Sequence, residues 1–407
     1  MARRVLLVLP SRTYRAAAFL EAARRLQLEV VVASDQGSTL GHLFPDLELT
    51  IDLDDPVAAA RLVASHPTAA QIQAVVPVDD GAVLAAAQIA ERLGLPGSPV
   101  TAVAATRNKL LLRERLNAHG VSQPGWWPWI GPGDPGPLPF PVVVKPLDQA
   151  GSRGVIRVDE PTQLLAAGER IRRELLADPT CLPPHLGVPL LVEKFVAGPE
   201  VAVEAVLRRG QLWPLAVFDK PDPLDGPYFE ETVYTVPSGL DPERQGEILA
   251  EVLAAVRAVG LSEGAVHAEL RLGEGRPRLI DLAGRSIGGR CSGVLRFASK
   301  RSLEEILLRA ALGEPLGELE LEPGARGVMM MPIPRAGTLR SVPGRAEALA
   351  GEGIDLIDVS VPLGGRIAPL PEGDRYLGFI HAHGRDSAQV TQRLWRAYQR
   401  LGVVIED

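Results

Sequence analysis

Cysteine is almost missing from this 407-residue chain, which has only Cys181 and Cys291. Two thiols make neither a disulfide framework nor a cysteine-rich zinc site, and their scarcity points to a reducing, cytoplasmic setting. Long apolar runs are missing too, and no stretch approaches the ~18 residues of a membrane helix. The early run VLLVLP stops at Pro10 and is soon followed by Arg12 and Arg15. It is too short for a signal-peptide core and reads as a buried first strand. Positive charge is not in excess, since 43 Lys and Arg stand against 50 Asp and Glu, a net charge of -7. With aromatic residues at 4%, the chain shows neither the basic face nor the stacking platform of a nucleic-acid binder. A basic pocket for a phosphorylated small molecule stays open.

What is present suits a folded protein of two or three domains, at roughly 150 residues each. Residues 5–10, 29–34 and 74–80 read as strands and 16–28, 56–65 and 81–95 as helices. This alternation predicts a small open parallel sheet with helices on both faces. Residues 101–121 read as one helix closed by Gly120. The Pro/Gly-rich 124–141 reads as irregular connection. Its literal G-x-G-x-x-G at Gly131, Gly133 and Gly136 opens no helix and counts as a chance match. From 142 onward the pattern is mostly antiparallel α+β, with strands at 142–146 and 154–158, a helix near 161–177 and two strand-like runs within 190–207. A helix at 241–260 follows, then a hairpin over 264–285. Short strands near 328–334, 357–363 and 374–384 and a last helix over 386–401 complete the chain. The fold class is therefore α/β together with α+β.

Four segments carry chemistry. In VVVKPLDQAGSRGVIRV (142–158) a strand delivers Lys145, and a loop with Gly151, Ser152 and Gly154 follows. Glycines let backbone N–H groups approach phosphate oxygens, and a lysine adds a point charge. The alternative is a hairpin with an exposed lysine. In VEKFVAGPEV (192–201) a Glu-Lys pair interrupts an apolar strand before a turn and Glu200, which suits either a nucleotide-base edge or a solvated hairpin. In GAVHAELRLGEGRPRLIDLAGR (264–285) His267, Glu269 and Arg271 share one strand face. Leu279, Asp281 and Ala283 share a face of the next strand. A turn symmetric about Gly275 sets Glu269 across from Asp281. Facing carboxylates favour a shared cation, and Mg²⁺ suits oxygen donors and phosphates. A slip of one residue breaks this pairing. GRSIGGRC then places Arg285, Gly288 and Arg290 in a glycine-rich loop, where guanidinium groups suit a transferring phosphoryl group or a substrate carboxylate.

In this order the segments resemble the ATP-grasp superfamily over about residues 101–315, with the N-terminal α/β unit similar to that family's preceding domain. The resemblance implies a pre-ATP-grasp domain over 1–96 and a small subdomain over 97–188. A large subdomain with the metal site spans 189–315, and a β-rich C-terminal lobe spans 316–407. TRNKLLLRERLNAHGV resembles the helix whose lysine, here Lys109, reaches the nucleotide. Lys145 matches the second nucleotide lysine, and the loop at Ser152 matches the phosphate-covering loop. EKFVAGPE is similar to the adenine hinge of D-alanine–D-alanine ligases. That likeness puts Glu193 on the adenine amino group, backbone contacts at Lys194 and Val196, and Glu200 on the ribose. Glu269 and Asp281 match the magnesium carboxylates (Mn²⁺ being the alternative ion), and Arg285 the arginine near the transferred phosphate. Two departures stand out: Asp281 where the family usually has Glu, and Ala283 where it usually has Asn.

IDLAGRSIGGRCS, GPYFEET and the β-rich C-terminal lobe most resemble L-amino-acid ligases and other carboxylate–amine ligases. This implies ATP-dependent amide formation through an acyl-phosphate. Glu231 then lies near the amine, Gly288 and Arg290 near substrate, and Lys145 and Arg285 act in catalysis. His267 is either a group that orients substrate or takes the amine proton, or a structural histidine. Tyr228, Phe229 and Tyr234 are candidates for a specificity pocket. The implied partners are a small-molecule carboxylate and an amine, amino acids above all, and by family habit a second copy of the chain as homodimer. Two alternatives remain: a carboxylase or nucleotide-precursor ligase of the same fold, and a catalytically silent ATP-binding regulatory protein, for which Ala283 is the support.

Overall fold

Strand β1 (Arg4–Leu9) opens the chain, followed by α1 (Ala16–Arg25), β2 (Glu29–Ser34), β3 (Glu48–Thr50), α2 (Pro56–Ser65), β4 (Ile72–Pro77) and α3 (Val83–Leu93). The strands pair in parallel in the order β3-β2-β1-β4. The unbroken apolar run of β1 follows from this. Leu6 and Val8 point into a core with α2 and α3, while Val5 and Leu7 join a second core shared with the rest of the molecule. The computed structural model describes residues 3–37, 46–131, 136–177, 189–373 and 375–407. Gly133 and Cys181 lie outside the described residues; Cys291 is buried.

The stretch expected as a single helix over 101–121 is two, α4 (Val100–Arg107) and α5 (Lys109–Ala118). Asn108 breaks it. Its backbone is extended, and its side chain accepts from the N–H groups of Leu110 and Leu111, capping α5. Lys109 thus sits at a helix start, its own N–H bound to Leu147 O at 2.8 Å. A second difference concerns 124–141, where Trp126–Trp129 form β5 despite Pro128. The strand is at a sheet edge, where a missing N–H breaks no ladder. Then come β6 (Val142–Lys145), β7 (Ile156–Val158), α6 (Pro161–Ala177) and β8 (Leu190–Lys194), in a sheet ordered β5-β8-β6-β7. Strand β8, within the stretch expected to open the large subdomain at 189, pairs with β5 and β6.

Among the described residues the largest sheet has eight strands. They come from β9 (Glu200–Arg208), β10 (Gln211–Lys220), β11 (Val233–Val236), β12 (Gly264–Arg271) and β13 (Arg278–Ala283), then β14 (Ala325–Met331), β16 (Ile354–Val359) and β18 (Gly378–Gly384). Helix α7 (Pro242–Val259) precedes β12, and α8 (Leu303–Ala311) packs on α1. Their order is β13-β12-β9-β10-β11-β14-β18-β16. The C-terminal lobe expected from 316 is thus fused to the large subdomain through the β11–β14 pairing. It adds a second sheet of β15 (Gly337–Ser341), β17 (Arg366–Ile367) and β19 (Val404–Glu406), with helices α9 (Arg345–Leu349) and α10 (Ser387–Arg400). Strand β9 is buried on both faces, with Val201 and Val203 toward α7 and Ala202 and Val206 toward the core that β1 and α8 share. No helix among the described residues is long and apolar enough to cross a membrane.

The cap at Asn108 gives a direct test. Asn108→Ala is expected to lower stability by about 1 kcal/mol in urea denaturation, while Asn108→Asp, which keeps a capping oxygen, stays near wild type.

Candidate active site

The ends of β6 and β8, the hairpin β12–β13, the N-terminal sheet and the C-terminal lobe enclose a cavity of about 280 Å³. On one wall, Lys145 closes β6 and its Nζ contacts Glu193 Oε2 on β8 at 2.7 Å. Both are buried. The other oxygen of Glu193 accepts from Arg113 Nε at 2.6 Å. Burial pushes the Glu193 carboxyl up, but Arg113 and Lys145 outweigh it and hold it below the ordinary range. For Lys145 burial is the largest effect, and its ammonium is lowered despite Glu193. Glu193, expected on the adenine amino group, is therefore already engaged at both oxygens. The Lys194 N–H, expected among the hinge contacts, is bound to Gly125 O at 2.8 Å; Lys194 and Val196 both line the cavity.

The loop after β6 contributes Gln149, Ala150, Gly151 and Ser152 to the wall. Gly151 and Ser152 have φ of 62° and 57°, and the Arg153 N–H bonds to Ala150 O at 3.4 Å, so the loop doubles back in a tight turn at the cavity wall. The ammonium of Lys109 holds this loop by donating to Gln149 O.

The opposite wall is acidic. Glu269 and Asp281 are direct cross-strand partners. The turn itself pairs Leu270 with Leu279 and Arg271 with Arg278, a register that would miss Asp281 by one. A bulge at Ile280 restores the pairing. It also corrects the expected face: Leu279 joins Leu282 in the core, while Ile280 and Asp281 both line the cavity.

Lys220, at the end of β10, has its Nζ 2.5 Å from Glu200 Oε1, 2.7 Å from Glu269 Oε1 and 3.3 Å from Glu231 Oε1, and lies over the Tyr234 ring. The second oxygen of Glu200 is 2.7 Å from Arg271 Nε, so the expected ribose carboxylate is also held by the protein. Burial, reinforced by Glu269 and Glu200 and opposed by Lys220, pushes Glu231 up to about 7. His267 stands between Glu204 and Glu269, at 3.6 and 3.5 Å. Burial lowers the imidazole pKa, but the two carboxylates reverse this and raise it.

Among the described residues no group of three or more His, Cys, Asp or Glu side chains could hold a metal. The facing pair nevertheless fits Mg²⁺, which binds through one or two carboxylates and takes its other oxygens from water and phosphate. Ala283 offers no further side-chain oxygen.

The loop after β13 closes the cavity. Arg285 and Gly288 line it. Arg290, expected beside substrate, lies outside the wall that the described residues form. It pairs with Asp358 at 2.8 Å and stacks 5.1 Å from the Phe379 ring centroid. Tyr228 is likewise drawn away, bonded to Arg170 at 2.6 Å, whereas Phe229 and Tyr234 are in the wall. Cys291 is in the wall but buried, which pushes its thiol up.

Arg113, Lys220 and Arg271 went unassigned in the sequence, although signals existed. Arg113 is one turn from Lys109 on the same helix. Lys220 pairs with Glu200 across the hairpin that turns at Arg209–Gly210.

An ATP-grasp N-terminal domain model matches residues 20–97, an ATP-grasp domain model matches 138–294, and an L-amino acid ligase C-terminal domain 2 model matches 329–406. Carnosine synthase 1 of Gallus gallus is 31% identical over 220 residues, 50% of this chain and 23% of that protein. A D-alanine–D-alanine ligase of Aromatoleum aromaticum is 35% identical over 150 residues, 36% of this chain and 44% of that protein. The chain thus spans less than half the length of these curated relatives. The crystal structure of L-amino acid ligase from Bacillus licheniformis superposes with a TM-score of 0.85 at 25% identity and full coverage of both chains. Three family models in chain order and this full-length likeness identify ATP-grasp domains in the chain, followed by an L-amino acid ligase type of C-terminal domain.

Proposed function

We propose that the chain is an ATP-dependent carboxylate–amine ligase that joins two amino-acid-type substrates through an acyl-phosphate and releases ADP and phosphate. One observation carries the reading: Glu269 and Asp281 face each other in the same cavity that Lys145, the 149–152 loop and Arg285 line. A carboxylate is a poor electrophile. Its oxygen attacks the γ-phosphorus of ATP, the bond to the β–γ bridging oxygen breaks, and ADP leaves. The amine nitrogen then attacks the acyl carbon, phosphate departs with the C–O electron pair, and the nitrogen sheds its proton. Lys109 and Lys145 with the loop N–H groups neutralise phosphate charge. Arg285 steadies the charge that spreads over the transferring group. Glu231 faces the amine. The 149–152 loop lies over the site and excludes water that would hydrolyse the mixed anhydride. A Mg²⁺ ion between Glu269 and Asp281 would neutralise phosphate oxygens as a Lewis acid.

Before substrates arrive, the acidic wall needs its own counter-charge, and Lys220 supplies it. Three carboxylates at 2.5–3.3 Å from one buried ammonium are tolerable only with that charge in place.

The reading is tested by ADP release from ATP and Mg²⁺ with a panel of amino acids as acid and amine, with product mass as second readout. An ADP-forming pair that yields the condensed mass supports it; ADP without a condensed product sinks it. Asp281→Asn is expected to reduce substrate-dependent ADP release by more than about 100-fold with an unchanged unfolding midpoint; turnover at the wild-type rate would remove Asp281 from the metal site. Lys220→Met is expected to cost about 3–5 kcal/mol in urea denaturation, because it strands buried carboxylates. Adding Glu231→Gln to that variant should recover part of the loss, and no recovery would show that Lys220 does not act by balancing their charge.

A further inference from the structure

We propose that Asp80, contributed by the N-terminal sheet, is a positioning residue that sets the direction of the Arg285 guanidinium. This deepens the ligase reading and rests on it. Asp80 lies just past the carboxyl end of β4, where a short 3-10 turn over Asp80–Ala82 leads into α3. Its own place is fixed locally. The Asp79 side chain accepts from the Asp80 N–H at 2.8 Å and from Thr13 Oγ1 at 2.9 Å. Both aspartates line the cavity.

One oxygen of Asp80 accepts from Arg285 Nε at 2.7 Å; the other faces Arg107 at 3.3 Å. Arg107 in turn approaches Asp148 O, at the start of the phosphate-side loop, at 3.5 Å. A single carboxylate therefore stands between Arg285, which this reading puts at the transferring phosphate, and Arg107, which reaches toward the phosphate-side loop. Guanidinium nitrogens are coplanar, so holding Nε from one side and Nη1 at Ser286 O (3.0 Å) fixes where the remaining N–H groups point. Burial would raise the Asp80 carboxyl; Arg285 and Arg107 more than reverse it, so the group is charged at neutral pH.

The backbone of the Arg285 loop does not depend on Asp80. Arg15 donates to Ser286 at both its carbonyl and its hydroxyl. Glu204 accepts from the Ile287 N–H at 2.9 Å, and the Tyr14 hydroxyl accepts from the Gly289 N–H at 2.8 Å. Loss of the Asp80 charge should therefore free the guanidinium while leaving the loop in place.

The test uses the full-length enzyme, ATP, Mg²⁺ and the acid–amine pair that gives ADP. Asp80→Asn is expected to lower kcat about 30–100-fold with KM for ATP within about threefold, since misdirection of a transition-state group costs rate and not ground-state binding. Asp80→Glu, which keeps the charge on a longer arm, should lose about tenfold or less and serves as the variant of record if the asparagine form does not fold. In an Arg285→Lys background the Asp80→Asn step should cost little more, because both changes act on one group. Full kcat in Asp80→Asn, a loss confined to KM, or losses that multiply in the double variant each overturn the inference alone. A wild type that releases no ADP with any pair overturns the ligase reading and the inference with it.

Discussion

Glu200, Glu231 and Glu269 converge on one ammonium, Lys220, in a part of the molecule that water barely reaches. Like charges this close cannot share a low-dielectric site unless a cation or proton lies between them, and the rest of the acidic wall is arranged around that requirement. Arg271 takes the free edge of Glu200, His267 approaches Glu269 from two residues back on β12, and burial raises the Glu231 carboxyl. The arrangement leaves Asp281 as the carboxylate opposite Glu269 on a neighbouring strand. A divalent ion carrying phosphate oxygens would therefore enter a wall whose excess negative charge is already partly compensated. That suits reversible nucleotide binding better than a naked acidic cluster would.

The cavity is a property of the whole chain and not of its central subdomains. The N-terminal sheet supplies Tyr14, Asp79 and Asp80, and the C-terminal lobe supplies Met330 and Tyr376. The core explains why these parts keep their spacing. Val5, Leu7 and Phe19 pack in one cluster with Ala202, Phe218 and Phe379, so the first strand, the large sheet and the C-terminal lobe share a single interior. A loop suspended between them, 285–290, is held by the N-terminal side through Arg15 and Tyr14 and by the C-terminal side through Arg290 and Asp358.

Much of this was legible in the sequence because periodicity reports burial. The unbroken VLLVL run, the alternation around His267 and Glu269, and the helix at 56–65 each matched a strand or helix to within a few residues. What was not legible depended on tertiary partners. Arg290 has the local context of a substrate residue, yet Asp358 and Phe379, some seventy and ninety residues on, draw it away. Pro128 argues against a strand only until its place at an edge is known. The Glu269–Asp281 pairing was anticipated from a symmetric turn. The turn is not symmetric in that way, and the outcome depends on a bulge that no composition signal announces.

That bulge has a further consequence for how the two walls of the cavity are joined. An extra residue in one strand leaves backbone groups without ladder partners. Here the carbonyls of Leu279 and Ile280 are taken by the Arg113 guanidinium, at 3.1 and 2.6 Å, while its Nε holds Glu193 at 2.6 Å. One buried side chain on α5 thus ties β8, which carries Glu193, to β13, which carries Asp281. A lysine could not do this, because the three contacts diverge across a planar fork. The two walls of the cavity are in this way cross-linked by a rigid cation as well as by the chain that connects them. The same fork that satisfies the bulge also neutralises Glu193, so the bulge, Glu193 and Lys145 form one electrostatic unit.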